Sequence, residues 1–283
     1  FKPRTTHSRV VSENKTMIKQ SIVNIVKRLI PQNIRVFFRK LNWKCHYLLQ
    51  SAMINSSEKK VYCPIAKKEF KKFVNIGNDL ITPSNGARGR QRLVWHYLEN
   101  KIKILENEIR ILHTAPELSY FEVLSKLKNI DYVPGDKMAA GYSNQKGILN
   151  IDLTNLEFDD CSFDYFLSNH VLEHIPNDRK AMSEIFRVLK EGGVAVITVP
   201  INEKLDKTYE DPTIVTPRDR KKHFGQWDHV RWYGLDIKNK LEKIGFRVKM
   251  LKYGEQFSKK DFQRYGFKND FIVEAQKPFA NKV

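Results

Sequence analysis

Glycine is missing where an α/β nucleotide-binding protein would most need it. The run Arg110-Ile-Leu-His-Thr-Ala-Pro-Glu-Leu-Ser119 reads as a strand turning into a helix, and it holds no glycine at all. Cysteine is scarce too. Cys45, Cys63 and Cys161 are odd in number and far apart, which excludes a disulfide framework and suits a reducing compartment. No run approaches ~18 uninterrupted apolar residues, so no spanning helix is expected. Acid is absent from residues 14–57.

What is present is mostly positive charge. The chain of 283 residues carries a net charge of +18, which attracts an anionic partner: nucleic acid, a membrane surface or a phosphorylated substrate. The acid-free stretch holds Ile18, Ile22, Ile25, Val26, Leu29, Ile34, Phe37, Phe38 and Leu41 near helical spacing, interleaved with lysine and arginine. Pro31 divides it into two helices. Such basic amphipathic helices suit an anionic membrane surface; packing on the main domain with a solvated basic face is the alternative. Three parts are expected: a basic helical region at 1–57, a turn-rich module with a helix at 58–100, and an α/β domain at 101–283. Location is expected to be cytoplasmic, with peripheral contact to the inner face of a membrane.

From Ile104 onward strand-like and helix-like runs alternate. The alternation predicts a doubly wound, mostly parallel sheet covered on both faces, with one antiparallel strand near the end. Within it stands Leu149-Asn-Ile-Asp-Leu153, then Phe158-Asp-Asp-Cys-Ser-Phe-Asp164, Asn169-His-Val-Leu-Glu-His-Ile175, and a helix expected to end in Leu189-Lys-Glu-Gly-Gly193. That order of motifs resembles class I S-adenosylmethionine-dependent methyltransferases, closest to the group called methyltransferase type 11. The resemblance implies a Rossmann-like seven-stranded sheet and S-adenosylmethionine as cofactor. It also implies roles. Asp136 accepts from the ribose hydroxyls, unless it only closes the Pro-Gly-Asp turn. Asp152 takes the adenine amine, with the Leu153 N–H on the ring. Asn169 and His170 flank the sulfonium. The turn Thr114-Ala115-Pro116-Glu117 replaces the usual acid-x-Gly-x-Gly-x-Gly, and the same Leu-His-x-Ala-Pro-Glu turn occurs in a subset of that group. The cofactor has no pyrophosphate, so no phosphate cradle is required. Pro116 suits a first helical turn, and Glu117 suits a helix N-terminus and the cofactor's ammonium group.

Residues 61–95 resemble a small zinc module of related proteins. Cys63 is kept, while Ala66, Thr82 and Asn85 stand at the other ligand positions, so a metal-free knuckle is expected. His170, Glu173 and His174 resemble a run in some metal-dependent RNA 2′-O-methyltransferases, which place Glu first. Imidazole at that position suits Mg²⁺ poorly, so local hydrogen bonds and no metal are expected here. The long loop from Thr208 to Tyr233 should close over the acceptor, with His223, Trp227, Arg231 and Tyr233 facing substrate. His229 or His170 has a pKa range suited to a catalytic base.

Three functions fit. The first is methyl transfer to a small molecule or glycan, lipid-linked or anionic. The second is RNA ribose methylation; base methylation lacks its signatures, since no Asn-Pro-Pro-Tyr/Phe follows Asn169 and no Pro-Cys follows Val199. The third is a non-catalytic binding protein on the same fold.

Overall fold

The computed structural model describes residues 32–51, 60–137 and 147–280. The first of the two expected N-terminal helices lies outside these residues. The second, α1 (Gln32–Ser51), begins directly after Pro31. It leaves Phe37, Phe38, Leu48 and Leu49 exposed, and it touches the rest of the chain where Tyr47 meets the Phe70 ring edge at 6.2 Å.

Two hairpins follow, β1 (Val61–Cys63) with β2 (Lys68–Phe70) and β3 (Val74–Ile76) with β4 (Asp79–Ile81), and then α2 (Gly89–Tyr97). An arginine lies beside the four positions that correspond to zinc ligands in the resembled module. Arg92 is fully buried and donates to the carbonyls of Leu80, Ala87, Tyr265 and Gly266 and to Thr82 Oγ1. Thr82 Oγ1 in turn lies 3.2 Å from Cys63 Sγ, and Asn85 Oδ1 accepts from the Ala87 N–H. Burial lowers the Arg92 pKa to about 10, still charged at neutral pH. A single guanidinium thus gathers carbonyls of the second hairpin, of the turn after it and of the Tyr265–Gly266 turn. Cys63→Ser should leave the metal content of the purified chain unchanged by elemental analysis. Loss of a bound zinc in that variant would show that the knuckle does hold metal.

The α/β part forms one seven-stranded sheet in the order β12-β13-β9-β8-β5-β6-β7. Its strands are β5 (Ile109–Thr114), β6 (Ile130–Asp136), β7 (Leu149–Asn150), β8 (Phe163–Asn169), β9 (Leu189–Thr198), β12 (Arg247–Leu251) and β13 (Ile272–Gln276). β5 to β9 pair in parallel, and β13 runs antiparallel between β9 and β12. Alternate residues feed two cores. Leu112, Phe166, Ala195 and Ile197 face one cluster with α4 (Asp178–Val188) and α6 (Ile237–Glu242); Ile111, Leu167, Val194 and Val196 face the other. The second cluster continues into Cys63, Ile65, Phe73 and Trp95, so the hairpin module shares a core with the sheet.

Two local expectations change. The run Leu189-Lys-Glu-Gly-Gly193 is the start of β9, not a helix end: α4 stops at Val188, and Gly192 at φ +77° carries an irregularity where β9 meets β8. Pro116 does not enter a helix either. The helix α3 (Leu118–Leu124) starts two residues later, with Glu117 as its extended cap.

Candidate functional site

The strand order reverses between β5 and β8, the topological switch point where open α/β sheets bind ligands. Both strands end there in strained backbone. Ala115 after β5 has φ +48°, and His170 after β8 has φ +54°, each costing about 1–2 kcal/mol for a residue with a Cβ. Ala115 meets the demand that glycine would, held by its N–H on the Gly135 carbonyl at 2.8 Å.

Glu117 joins the two strand ends. Its Oε2 accepts from His113 Nε2 at 3.1 Å and from Asn169 Nδ2 at 3.4 Å. His113 is fully buried and receives the Tyr132 hydroxyl on Nδ1 at 2.8 Å. Burial pushes the Glu117 carboxyl up, but the bonds from His113 and Asn169 outweigh it and hold the group below its ordinary value. Beside this carboxylate opens a cavity of about 490 Å³, lined among others by Asn85, Arg88, Arg90, Pro116 and Ser119. The Ser119 hydroxyl is buried without a hydrogen-bond partner.

The other expected cofactor residues stand at the carboxyl edge of the sheet in differing states. Thr114 is internal, its hydroxyl turned to the Leu167 carbonyl, so only backbone is offered there. Asp136 is half-buried, and burial raises its pKa. Asp152 Oδ2 accepts from Lys137 Nζ at 2.7 Å, and Oδ1 from the Thr154 hydroxyl and N–H; Lys137 and then Thr154 hold its pKa near about 2. Leu153 is buried in the core below.

Residues 113–197 match the family described as a methyltransferase domain. That stretch, from β5 to β9, is similar to a methyltransferase domain. The fold is the Rossmann-like sheet that the motif order implied. The curated Phosphoethanolamine N-methyltransferase 2 of Caenorhabditis elegans is 44% identical over 43 residues, 15% of this chain and 10% of that protein. The chain therefore spans about a tenth of that relative's length. The solved Phosphoethanolamine N-methyltransferase 2 of Haemonchus contortus in complex with S-adenosyl-L-methionine superposes with a TM-score of 0.43 at 17% identity, over 70% of this chain and 54% of that one. The [4+2]-cyclase SpnF superposes at 0.45 and 16% identity, over 67% and 82%.

The cavity suits an amino-acid tail. The Glu117 carboxylate matches an ammonium group, Arg90 in the same cavity matches a carboxylate, and the orphaned Ser119 hydroxyl has a bond to give. Arg90 was not among the residues expected for the cofactor. Its distance from the motif run in sequence hid it, and the helix α2 brings it there.

Residues expected to face the acceptor divide. Trp227 is 47% exposed and His223 lies on α5 (Pro217–Phe224) against the Tyr209 hydroxyl. Arg231 and Tyr233 are internal, which corrects their assignment as substrate contacts. Arg231 donates to the carbonyls of Leu172, Ile175 and Pro176 and to Glu210, and Tyr233 donates to Asp178. They fasten the segment, including the short ladder of β10 (Tyr209–Glu210) and β11 (Arg231–Trp232), to the turn after β8.

His170 is also corrected. Both its nitrogens meet carboxylates, Nδ1 with Glu173 at 3.2 Å and Nε2 with Asp270 at 2.9 Å, so both are donors. Burial opposes the charge, yet Asp270 and Glu173 outweigh it and raise the pKa. A bound imidazolium has no lone pair to accept a proton, and His170 cannot be the base. His229 differs: burial lowers its pKa despite nearby Glu173, its Nδ1 lies 3.1 Å from the Phe224 carbonyl, and Nε2 keeps a lone pair.

Proposed function

We propose that this protein transfers a methyl group from S-adenosylmethionine to a small polar acceptor, a hydroxylated metabolite, glycan or lipid-linked headgroup. The observation that carries this reading is the Glu117–Asn169 bridge across the switch point, beside a cavity lined by Glu117, Arg90 and the Arg88–Asp79 ion pair. The cofactor supplies an electrophilic methyl on a sulfonium. Glu117 and Arg90 would hold its amino-acid tail, Asp136 its ribose, Asp152 and the Leu153 N–H its adenine. Lys137 releases Asp152 at small cost, because that pair is exposed. Methyl transfer is an in-line displacement, so the chain's work is alignment and exclusion of water. Similarity over 43 residues to a phosphoethanolamine methyltransferase supports a small acceptor rather than RNA.

Calorimetric titration with S-adenosylmethionine tests the reading. Wild type should bind one equivalent. Asp152→Ala should weaken binding by roughly 1–3 kcal/mol, and Glu117→Gln by a similar amount, the loss of a bond to a charged group. Absence of binding to the folded wild type would sink the proposal; unchanged affinity in both variants would remove these two assignments.

The N-terminal region is proposed to dock on an anionic membrane. No described helix is long and apolar enough to cross one, but α1 presents Phe37, Phe38, Leu48 and Leu49 to solvent with basic neighbours and no acid. Each basic side chain at an anionic leaflet contributes about 1 kcal/mol. Full-length protein should sediment with phosphatidylserine vesicles at low salt, and a chain lacking residues 1–57 should stay in the supernatant. Equal sedimentation of both would refute the docking.

A further inference from the structure

Glu173 is the least explained charge among the described residues. It is fully buried, and its Oε2 has no hydrogen-bond partner. A buried carboxylate oxygen left bare is costly, and such a group in a native fold calls for a proton, a water or an ion. Its surroundings favour the ion. His229 Nε2 stands 4.0 Å from Glu173 Oε1. His174 meets the His229 ring edge-to-face at 4.7 Å between centroids. One ligand atom from each of Glu173, His174 and His229 lies within 4.8 Å of the other two.

We propose that Glu173, His174 and His229 bind a divalent transition-metal ion. The donor set argues for the class of ion: two imidazoles and one carboxylate suit Zn²⁺, Mn²⁺ or Co²⁺ better than Mg²⁺ or Ca²⁺, which take oxygen ligands. Each imidazole is also braced from behind. His229 offers Nδ1 to the Phe224 carbonyl at 3.1 Å, and His174 Nδ1 faces Asp228 Oδ2 at 3.4 Å. These outer bonds leave Nε2 of both rings for the metal and fix their orientation. Donors around a tetrahedral zinc stand about 3.4 Å apart, given bonds of about 2.0–2.1 Å. Small side-chain rotations from the observed spacing close the set. The expectation of no metal rested on residues 170–174 alone, where His170 stands at the first position; His229, 55 positions after His174 in the sequence, supplies the missing ligand.

Three protein ligands leave a coordination position open. On the methyltransferase reading, that position takes an acceptor hydroxyl. Coordination makes the hydroxyl more acidic, so it passes its proton to water. Its oxygen then forms the new bond to the methyl carbon as the carbon–sulfur bond breaks and the electron pair leaves with sulfur. The acceptor is thereby placed in the class of alcohols.

The test uses the full chain, stripped with chelator and titrated with Co²⁺ and then Zn²⁺. One equivalent of Co²⁺ should bind with visible d–d absorption, and Zn²⁺ should displace it. Glu173→Gln and His229→Ala should each weaken affinity at least ~100-fold, and Asp228→Asn about 10- to 100-fold. No stoichiometric binding to wild type overturns the proposal, as does undiminished affinity in a folded Glu173→Gln variant. If that variant does not fold, undiminished affinity in Asp228→Asn, whose side chain is partly exposed, overturns it instead. S-adenosylmethionine titration of the same samples separates the two readings. Cofactor binding without metal binding removes the metal site alone. Metal binding without cofactor binding removes methyl transfer and leaves the site standing.

Discussion

Arg231→Ala should lower the melting temperature by roughly 6–20 °C, corresponding to a loss of about 3–5 kcal/mol. The residue is 3% exposed. Its guanidinium donates to Leu172 O at 3.1 Å, Ile175 O at 2.5 Å, Pro176 O at 2.8 Å and Glu210 Oε2 at 2.8 Å. Burial works against the charge, but Tyr233, Asp178 and Glu210 outweigh it and keep the pKa raised. Alanine would take the guanidinium from the Ile175 and Pro176 carbonyls and leave Leu172 O only the Ile175 N–H, while Lys240 stays near Asp178 and Glu210. Arg231→Lys should recover only part of the loss, because an ammonium cannot reach four acceptors spread around a planar fork. The effect should extend to the site. Arg231 ties β11 to the turn that carries Glu173 and His174, and Val230 N–H adds a bond to the Glu173 carbonyl at 2.9 Å. A melting temperature within a degree or two of wild type would show that Arg231 is not the fastener described.

His229→Ala should lower turnover by about 10²- to 10⁴-fold, with cofactor affinity and melting temperature close to wild type. The magnitude is that of removing a positioned imidazole acting on the acceptor's proton; loss of a metal ligand gives the same direction. Of the two histidines first considered for catalysis, only His229 keeps an unengaged lone pair, since His170 is held by Glu173 and Asp270. Burial lowers its pKa, so the ring is neutral at physiological pH. Single-turnover assays with saturating cofactor would measure the change, and metal content separates the two roles. Turnover within a few-fold of wild type would make His229 a packing residue. A parallel loss of cofactor affinity and activity would make it a structural support of the turn after β8.

The sequence by itself determined the sheet and which residues stand at its carboxyl edge. Strand-like runs, helix-like runs between them and a fixed order of motifs are local properties, and they placed Asp136 and Asn169 at strand ends and Glu117 and Asp152 in the turns that follow strands before any contact was known. The glycine-free turn was legible for the same reason: Ala115 is small enough for φ +48°, and only its own backbone has to accept the strain. Three things were decided by tertiary structure alone. Arg231 and Tyr233 look like ligand contacts in an aromatic, basic loop, but composition does not tell which face of a short strand points inward; the carbonyls of Leu172, Ile175 and Pro176 and the carboxylate of Asp178 claim them. Arg92 reads as one more basic residue in a turn, and becomes the centre of the knuckle only where the second hairpin, the turn after it and the Tyr265–Gly266 turn converge on it. Glu173 and His229 lie 56 positions apart, and no local periodicity links them. They meet because β8 and the segment after β9 end at the same edge of a parallel sheet, and a parallel sheet brings together strand ends that the crossover connections keep far apart along the chain.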